Sequence, residues 1–305
     1  GDVYKRQTLR GDMYAKTKKE AEALMDFDRV IARWPKAESA AAAWQRAAQI
    51  YAGRQDMVNM AKYYEGLIQN FPKASPAALA EAHFLLGRAA FDQGDFKSSI
   101  SHMAEAKTLD PQKYGEQVNV LSVLSYHKLQ DVNKLKEALE TLQKENPSAV
   151  ARVPDVIPAW LGLQAYGMKD LETADKYMTW ATQNDQLQNV KKVIWRNLAK
   201  VRLALKKYDR ALVASNNFLK DEDQPYRRAD GMLDKASILL GLGKYADARK
   251  TAEEALALGV EGPLMASLKI VLGDISYAEK KFDEAAKYYG CLLYTSDAAD
   301  DLLCV

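Results

Sequence analysis

Cysteine and histidine are nearly missing from this chain of 305 residues: Cys291 and Cys304 are the two cysteines, and His83, His102 and His127 the three histidines. With both cysteines at the far end, everything before residue 291 lacks a disulfide frame, a thiolate metal site and a thiol nucleophile, and either redox compartment is compatible. The histidines fall in different predicted helices without a second histidine or a carboxylate at ligand spacing, so they read as ordinary surface or core residues and no metal is expected. No apolar run approaches the roughly 18 to 20 residues that cross a bilayer. Charge of one sign is also lacking, since the formal net charge is +2, far from the basic excess that makes nucleic acid the default partner. The sequence contains no G-x-S-x-G, no H-E-x-x-H and no phosphate-binding glycine loop; "LGLGKY", Leu240 to Tyr245, lacks the strand such a loop follows. These absences leave no candidate catalytic residue, cofactor site or metal ligand. The acidic run Asp221, Glu222, Asp223 reads as a solvated linker rather than a cation site.

What is present is ordinary globular material, 48% apolar and 28% charged with the signs interspersed, enough for a continuous core. The ends stand apart. "GDVYKRQ" (residues 1–7) and "CLLYTSDAADDLLCV" (residues 291–305) look like translated sequencing-adapter read-through, and we exclude them from fold reasoning as one excludes a fusion scar. The remaining 8–290 carries 41 basic against 37 acidic residues, a net +4.

Within that body one pattern recurs. In "LGRAAFDQGDFKSSISHMAEAKTLDP", Leu86 to Pro111, a glycine-containing turn separates two stretches with apolar residues at helical spacing. The residue after the turn, Phe96, has counterparts at Met57, Val132, Leu171, Tyr208, Tyr245 and Phe282, spaced by 36 to 39 residues, and a fixed period in this range signals a stacked array. Each unit reads as two amphipathic helices around a short turn. Small residues pair at matching depths: Gly87 with Ser99, Gly162 with Ala174, Ala199 with Ala211, Ala236 with Ala248, and Gly273 with Ala285. They predict close approach of two antiparallel backbones. The turn position is occupied by Gly94, Gly243, Lys169, Lys206 and Lys280, and the "DQGDF" carboxylates do not recur with it, so we read a chain reversal and not a ligand loop. Ser75 before Pro76, and Ser39, are expected N-caps. Pro35, Pro72, Pro111 and Pro147 are expected to end second helices. The three prolines of "NPSAVARVPDVIP", Asn146 to Pro158, suggest a hinge at 148–154.

These residues closely resemble the tetratricopeptide repeat. The opening stretch fits best, with Leu86, Gly87, Phe91, Gly94, Phe96, Ala106 and Pro111 at the family's positions, and Trp44 and Trp195 take the early aromatic position of their first helices. The resemblance implies an all-α, right-handed superhelical solenoid of about eight antiparallel helix-turn-helix repeats, four in 8–147 and four in 155–290. The fourth unit departs from the pattern: Val123 and Leu135 stand where small residues are expected, which predicts splayed helices there. Two junctions, "RVIARWPKAESAAAAW" and "GLIQNFPKASPAALAEAHFLLG", are similar to the bacterial envelope branch of the family. That similarity implies a periplasmic or cell-envelope location, with the cytoplasm as the alternative.

Stacking such units lines an inner surface with first-helix side chains, and the resemblance implies that extended protein or peptide segments bind there. In the sixth unit Lys192, Arg196 and Lys200 share one helical face. Arg196 and Lys200 take the family's groove-facing positions, beside Leu163 and Tyr166 of the fifth unit, Leu203 of their own, and Leu233 and Ser237 of the seventh. Two cations among apolar side chains suit a partner's carboxylate and one hydrophobic residue, a sheltered charge-assisted bond contributing on the order of 1.5 to 3 kcal/mol. A second candidate surface is Phe84, Arg88 and Phe91 in the third unit, although aromatic residues at helical spacing are more often core. The expected function is a non-catalytic scaffold for protein or peptide segments, with no nucleic acid. The alternatives are the docking region of a larger enzyme and, further down, a helical-repeat RNA binder, which would need a continuous basic groove.

Overall fold

The computed structural model describes the backbone of residues 2–183 and 188–294 and the side chains within 3–183 and 191–290. The side chains of Cys291 and Cys304, and residues 295–305, lie outside it. The protein is all-α and forms two compact units, 1–153 and 154–305, whose boundary falls within the proline-rich segment singled out above. In the first unit the helices are α1 (Asp2–Lys16), α2 (Glu20–Arg33), α3 (Glu38–Gly53), α4 (Met57–Asn70), α5 (Pro76–Asp92), α6 (Phe96–Leu109), α7 (Pro111–Lys128) and α8 (Val132–Glu145), followed by a 3-10 turn, Pro147–Arg152. In the second they are α9 (Val156–Gly167), α10 (Leu171–Thr182), α11 (Gln188–Ala204), α12 (Tyr208–Lys220), α13 (Pro225–Gly241), α14 (Tyr245–Leu256), α15 (Gly262–Ala278) and α16 (Phe282–Tyr294). Each odd helix packs on the even one that follows it, and each hairpin on the next within its unit. Residues 2–7 of the segment set aside above form the first turns of α1, where the Gln7 amide donates to Asp26.

All seven register residues open the second helix of their hairpin, from Met57 in α4 to Phe282 in α16. The residue at the turn position is left-handed in every hairpin: Lys18, Gln55, Gly94, Gln130, Lys169, Lys206, Gly243 and Lys280 all have φ between 55° and 82°. Around it the backbone closes in a Schellman motif. In the third hairpin Gly94 N–H donates to Phe91 C=O and Asp95 N–H to Ala90 C=O, and the same pair of bonds recurs at the other seven turns.

One carboxylate of the turn does recur, contrary to the sequence reading. Asp95 caps α6 by accepting from Ser98 N–H, and Asp56, Asp131 and Asp170 do the same for Asn59, Lys134 and Thr173. The residue that ends the Schellman turn is also the N-cap of the next helix, so aspartate there satisfies an orphan amide worth about 1 kcal/mol. Ser75 caps α5 with Pro76 in its first turn. Ser39 caps nothing: α3 starts at Glu38 and Ala37 takes the N-cap position, leaving the serine inside the first turn.

The core follows the small-residue pairs. Ser99, Ala174, Ala211, Ala236 and Ala248 are fully buried. A Cβ on Gly87 would stand 3.1 Å from His102 Cβ, and one on Gly162 would stand 2.9 Å from the Met178 backbone nitrogen. In the fourth hairpin Val123 and Leu135 are themselves fully buried. Beside their crossing a cleft of about 240 Å³ opens among α6, α7 and α8, lined by residues including Ile100, Val118, Ser122 and Ala138.

Candidate functional site

The cations of the sixth hairpin lie on α11, which touches α9 and α13, so first-helix side chains from three hairpins share one face. Leu163, Tyr166 and Leu203 are half-buried against the apolar cluster of α9 to α12, and Leu233 packs on the neighbouring cluster built around α13 to α15. Ser237 spends its hydroxyl on the Leu233 carbonyl.

The acids were missed. Arg196 pairs with Asp230, and Lys200 Nζ stands 3.7 Å from Asp234 Oδ2, both carboxylates coming from α13. Lys192 donates to the backbone carbonyl of Asp221. The basic triplet was visible because its members recur every four residues on one helix. Asp230 and Asp234 also stand four apart, but nothing in the sequence says that their face turns toward α11. Burial pushes the Asp234 carboxyl up to about 6, against the opposing pull of Lys200 and Arg196. It contrasts with Asp175, where burial also opposes ionisation but bonds from Arg202 Nε (2.8 Å) and Lys207 Nζ (3.0 Å) outweigh it and hold the carboxyl below its ordinary range. Asp175 is thus a satisfied structural ion pair, whereas Asp234 is held at a distance from its cation.

The second candidate surface divides. Phe84 is buried and stacks on Tyr114 with ring centroids 4.6 Å apart, so it belongs to the core of α5 to α7 and does not line a groove: its place on the helix faces the next hairpin. Arg88 is exposed, and Phe91 is half-buried with its edge toward Phe96. Nearby, Gln45 and Gln49 of α3 and Tyr64 of α4 all donate to Glu81 of α5. The i, i+4 pair of glutamines was the available sign of this network.

Two further expectations change. Glu222 is 2% exposed; its carboxylate accepts from Gln224 N–H and faces Arg227 at 3.7 Å, so this middle acid is folded back onto the helix ends, while Asp221 and Asp223 on either side are exposed as a solvated linker would be. His83 and His102 meet across α5 and α6 with their Nδ1 atoms 3.0 Å apart. They are 19 residues apart in sequence, and the hairpin brings them to the same depth. Burial lowers both imidazoles below their ordinary value; the neighbouring ring adds to this for His83, while Glu105 opposes it at both rings and Glu65 at His102. Among the described residues, no three histidine, aspartate or glutamate side chains gather as a metal cage, and no helix is long and apolar enough to cross a membrane.

Fold and repeat together define an α-solenoid protein built from helix-turn-helix units. The family model described as tetratricopeptide repeat matches residues 76–114, which hold the third hairpin, and 233–298. Those two segments are tetratricopeptide repeats. Such repeats form a protein-interaction scaffold, and their fold is generally non-catalytic. Comparison with curated protein sequences gives no match. Among solved structures, the chain is similar to a tetratricopeptide repeat protein from Parabacteroides merdae, at 11% identity over 90% of this chain and 99% of the other, with a TM-score of 0.42. It is similar to pilF of Pseudomonas aeruginosa at 18% identity over 74% and 95%, with a TM-score of 0.38. A third similar structure is the TPR2AB-domain:pHSP90 complex of yeast Sti1, at 15% identity over 94% and 99% and a TM-score of 0.41.

Proposed function

We propose that the protein is a non-catalytic scaffold whose first-helix face in the second unit takes an extended protein segment carrying a carboxylate next to a hydrophobic side chain, within a bacterial envelope complex. The observation that carries this reading is the pairing on α11 and α13. Arg196 and Lys200, set among half-buried Leu163, Tyr166, Leu203 and Leu233, already receive two carboxylates in a sheltered place. A partner's acid would exchange for an internal one, so binding is a competition and the internal pairs set its selectivity. The envelope setting rests on the phrasing of the helix junctions at residues 29–44 and 66–87.

The test is a fluorescence-anisotropy screen of extended peptides that differ in acidic and apolar content. Arg196→Glu with Lys200→Glu is expected to weaken acidic peptides by about 10- to 100-fold, the equivalent of one sheltered charge-assisted bond, with helicity unchanged by circular dichroism. Unchanged affinity sinks the reading. Because Asp234 titrates near pH 6 while an exposed partner carboxylate titrates near about pH 4, lowering the pH from 7 toward 5 neutralises the internal competitor first. Affinity for acidic peptides should therefore rise over that interval, and Asp234→Asn should remove the rise.

A further inference from the structure

The third hairpin holds a juxtaposition that the scaffold reading does not use. His83 lies on α5 and His102 on the antiparallel α6, and the helices cross so closely that a Cβ on Gly87, one turn beyond His83, would stand 3.1 Å from the Cβ of His102. That close approach brings the two Nδ1 atoms to 3.0 Å, with ring centroids 5.2 Å apart and the planes 44° from each other. Two imidazole nitrogens that each sit about 2.0 to 2.1 Å from one ion are about 2.9 Å apart at an angle of about 90°, and about 3.4 Å apart at the tetrahedral angle. The observed spacing is that of two cis ligands. The local field suits a cation as well: Glu105, one turn beyond His102, acts on both rings, and Glu65 of α4 acts on His102.

We propose that His83 and His102 form an open, two-imidazole site for a divalent transition metal that clips α5 to α6. Imidazole nitrogen selects zinc, copper(II) or nickel over magnesium or calcium, and copper(II) binds most tightly in that series. Among the described residues no third protein ligand is in place, so water fills the remaining positions and the carboxylate of Glu105 acts from outside the coordination shell. The clip joins the two helices of one hairpin of the first unit, whereas the α11 and α13 face belongs to the second, so it stands whether or not that face binds acidic segments.

The experiment uses the full chain without an affinity tag, freed of metal by a chelator and titrated in separate runs with copper(II), zinc, nickel and magnesium chlorides by calorimetry. The expected result is one copper(II) ion per chain, bound more tightly than zinc or nickel, with magnesium silent. The copper(II) resonance spectrum should show coupling to two imidazole nitrogens, and Tm should rise with metal concentration. His83→Ala and His102→Ala should each remove the binding and the Tm rise, and His127→Ala should leave both intact. Alanine at 102 keeps the Cβ on which Gly87 packs, and circular dichroism checks that each variant stays folded; His83→Asn provides a second version should His83→Ala unfold. Glu105→Gln should weaken binding by about tenfold, as removal of an outer-shell group does. Absence of copper(II) binding overturns the proposal, as does binding that survives both single histidine variants, or that His127→Ala removes.

Discussion

The third and fourth hairpins are neighbours in one unit and close with the same kind of turn, yet they solve the helix crossing in opposite ways. In the third, Gly87 faces Ser99 and the backbones close in until His102 Cβ and the Met103 side chain sit where a Gly87 Cβ would need room. In the fourth, Val123 and Leu135 occupy the equivalent depths and fill the crossing with their own side chains. Closure by backbone approach leaves little free space, whereas closure by bulk leaves a cleft beside the crossing, the one among α6, α7 and α8. Its rim is held by polar bonds: Lys107 Nζ donates to Glu145 at 2.7 Å and to Asn119 at 2.8 Å, and Asn119 donates in turn to Asn146 at 2.7 Å. The lesson is that the repeat specifies a register and a turn, while the volume at the crossing is free to vary provided something fills it.

The comparison breaks most sharply if the bulk is removed from the fourth hairpin. Leu135 is fully buried, and Leu135→Ala is expected to cost about 2 to 5 kcal/mol, toward the upper end because a cleft already lies alongside and the site cannot collapse. Chemical denaturation monitored by circular dichroism reads this directly. A cost below about 1 kcal/mol would mean that the fourth crossing is loose rather than filled, and the contrast with the third would fail. The reciprocal change, Gly87→Val, adds bulk where the backbone approach has used the room, and should cost about 1 to 3 kcal/mol. If it were neutral, the third hairpin would have slack and its tightness would not depend on glycine.

Most of this was legible in the sequence for a physical reason. A turn and a register are local, set by a left-handed position and the apolar residue two places later, and these repeat along the chain. The departure at Val123 and Leu135 could be read from the same register, although what a larger pair does to the space around it could not. Side-chain pairing between helices was less legible. Asp230 and Asp234 meet Arg196 and Lys200 through the rotation of α13 about its axis, and His83 meets His102 only because the hairpin folds them to one depth. Ser39 was misread because serine ahead of an alanine run is a cap only where the helix starts after it, and here the preceding Glu38 has already joined the first turn. The burial of Glu222 was hidden by composition: three acids in a row look solvated until the chain ends around them are known.

The finest distinction between the two hairpins lies in their turns, where the third has Gly94 at φ 82° and the fourth has Gln130 at φ 55°. Both turns close with the same two backbone bonds, Gly94 to Phe91 and Asp95 to Ala90 in one, Gln130 to His127 and Asp131 to Tyr126 in the other, and in both an aspartate caps the helix that follows. The geometry is therefore matched, and the substitution isolates the cost of a side chain in the left-handed region, about 1 kcal/mol after the greater unfolded-state freedom of glycine is set against it. Gly94→Gln should lower stability by about that amount and Gln130→Gly should raise it by somewhat less, both read from denaturation midpoints at unchanged m-value. Nothing lies within 4 Å of a Cβ built on Gly94, so a loss there cannot come from crowding and must come from the backbone. If the two changes instead shift stability in the same direction, side-chain contacts at these turns outweigh the backbone preference, and the eight turns of the array are not equivalent despite their shared hydrogen bonds.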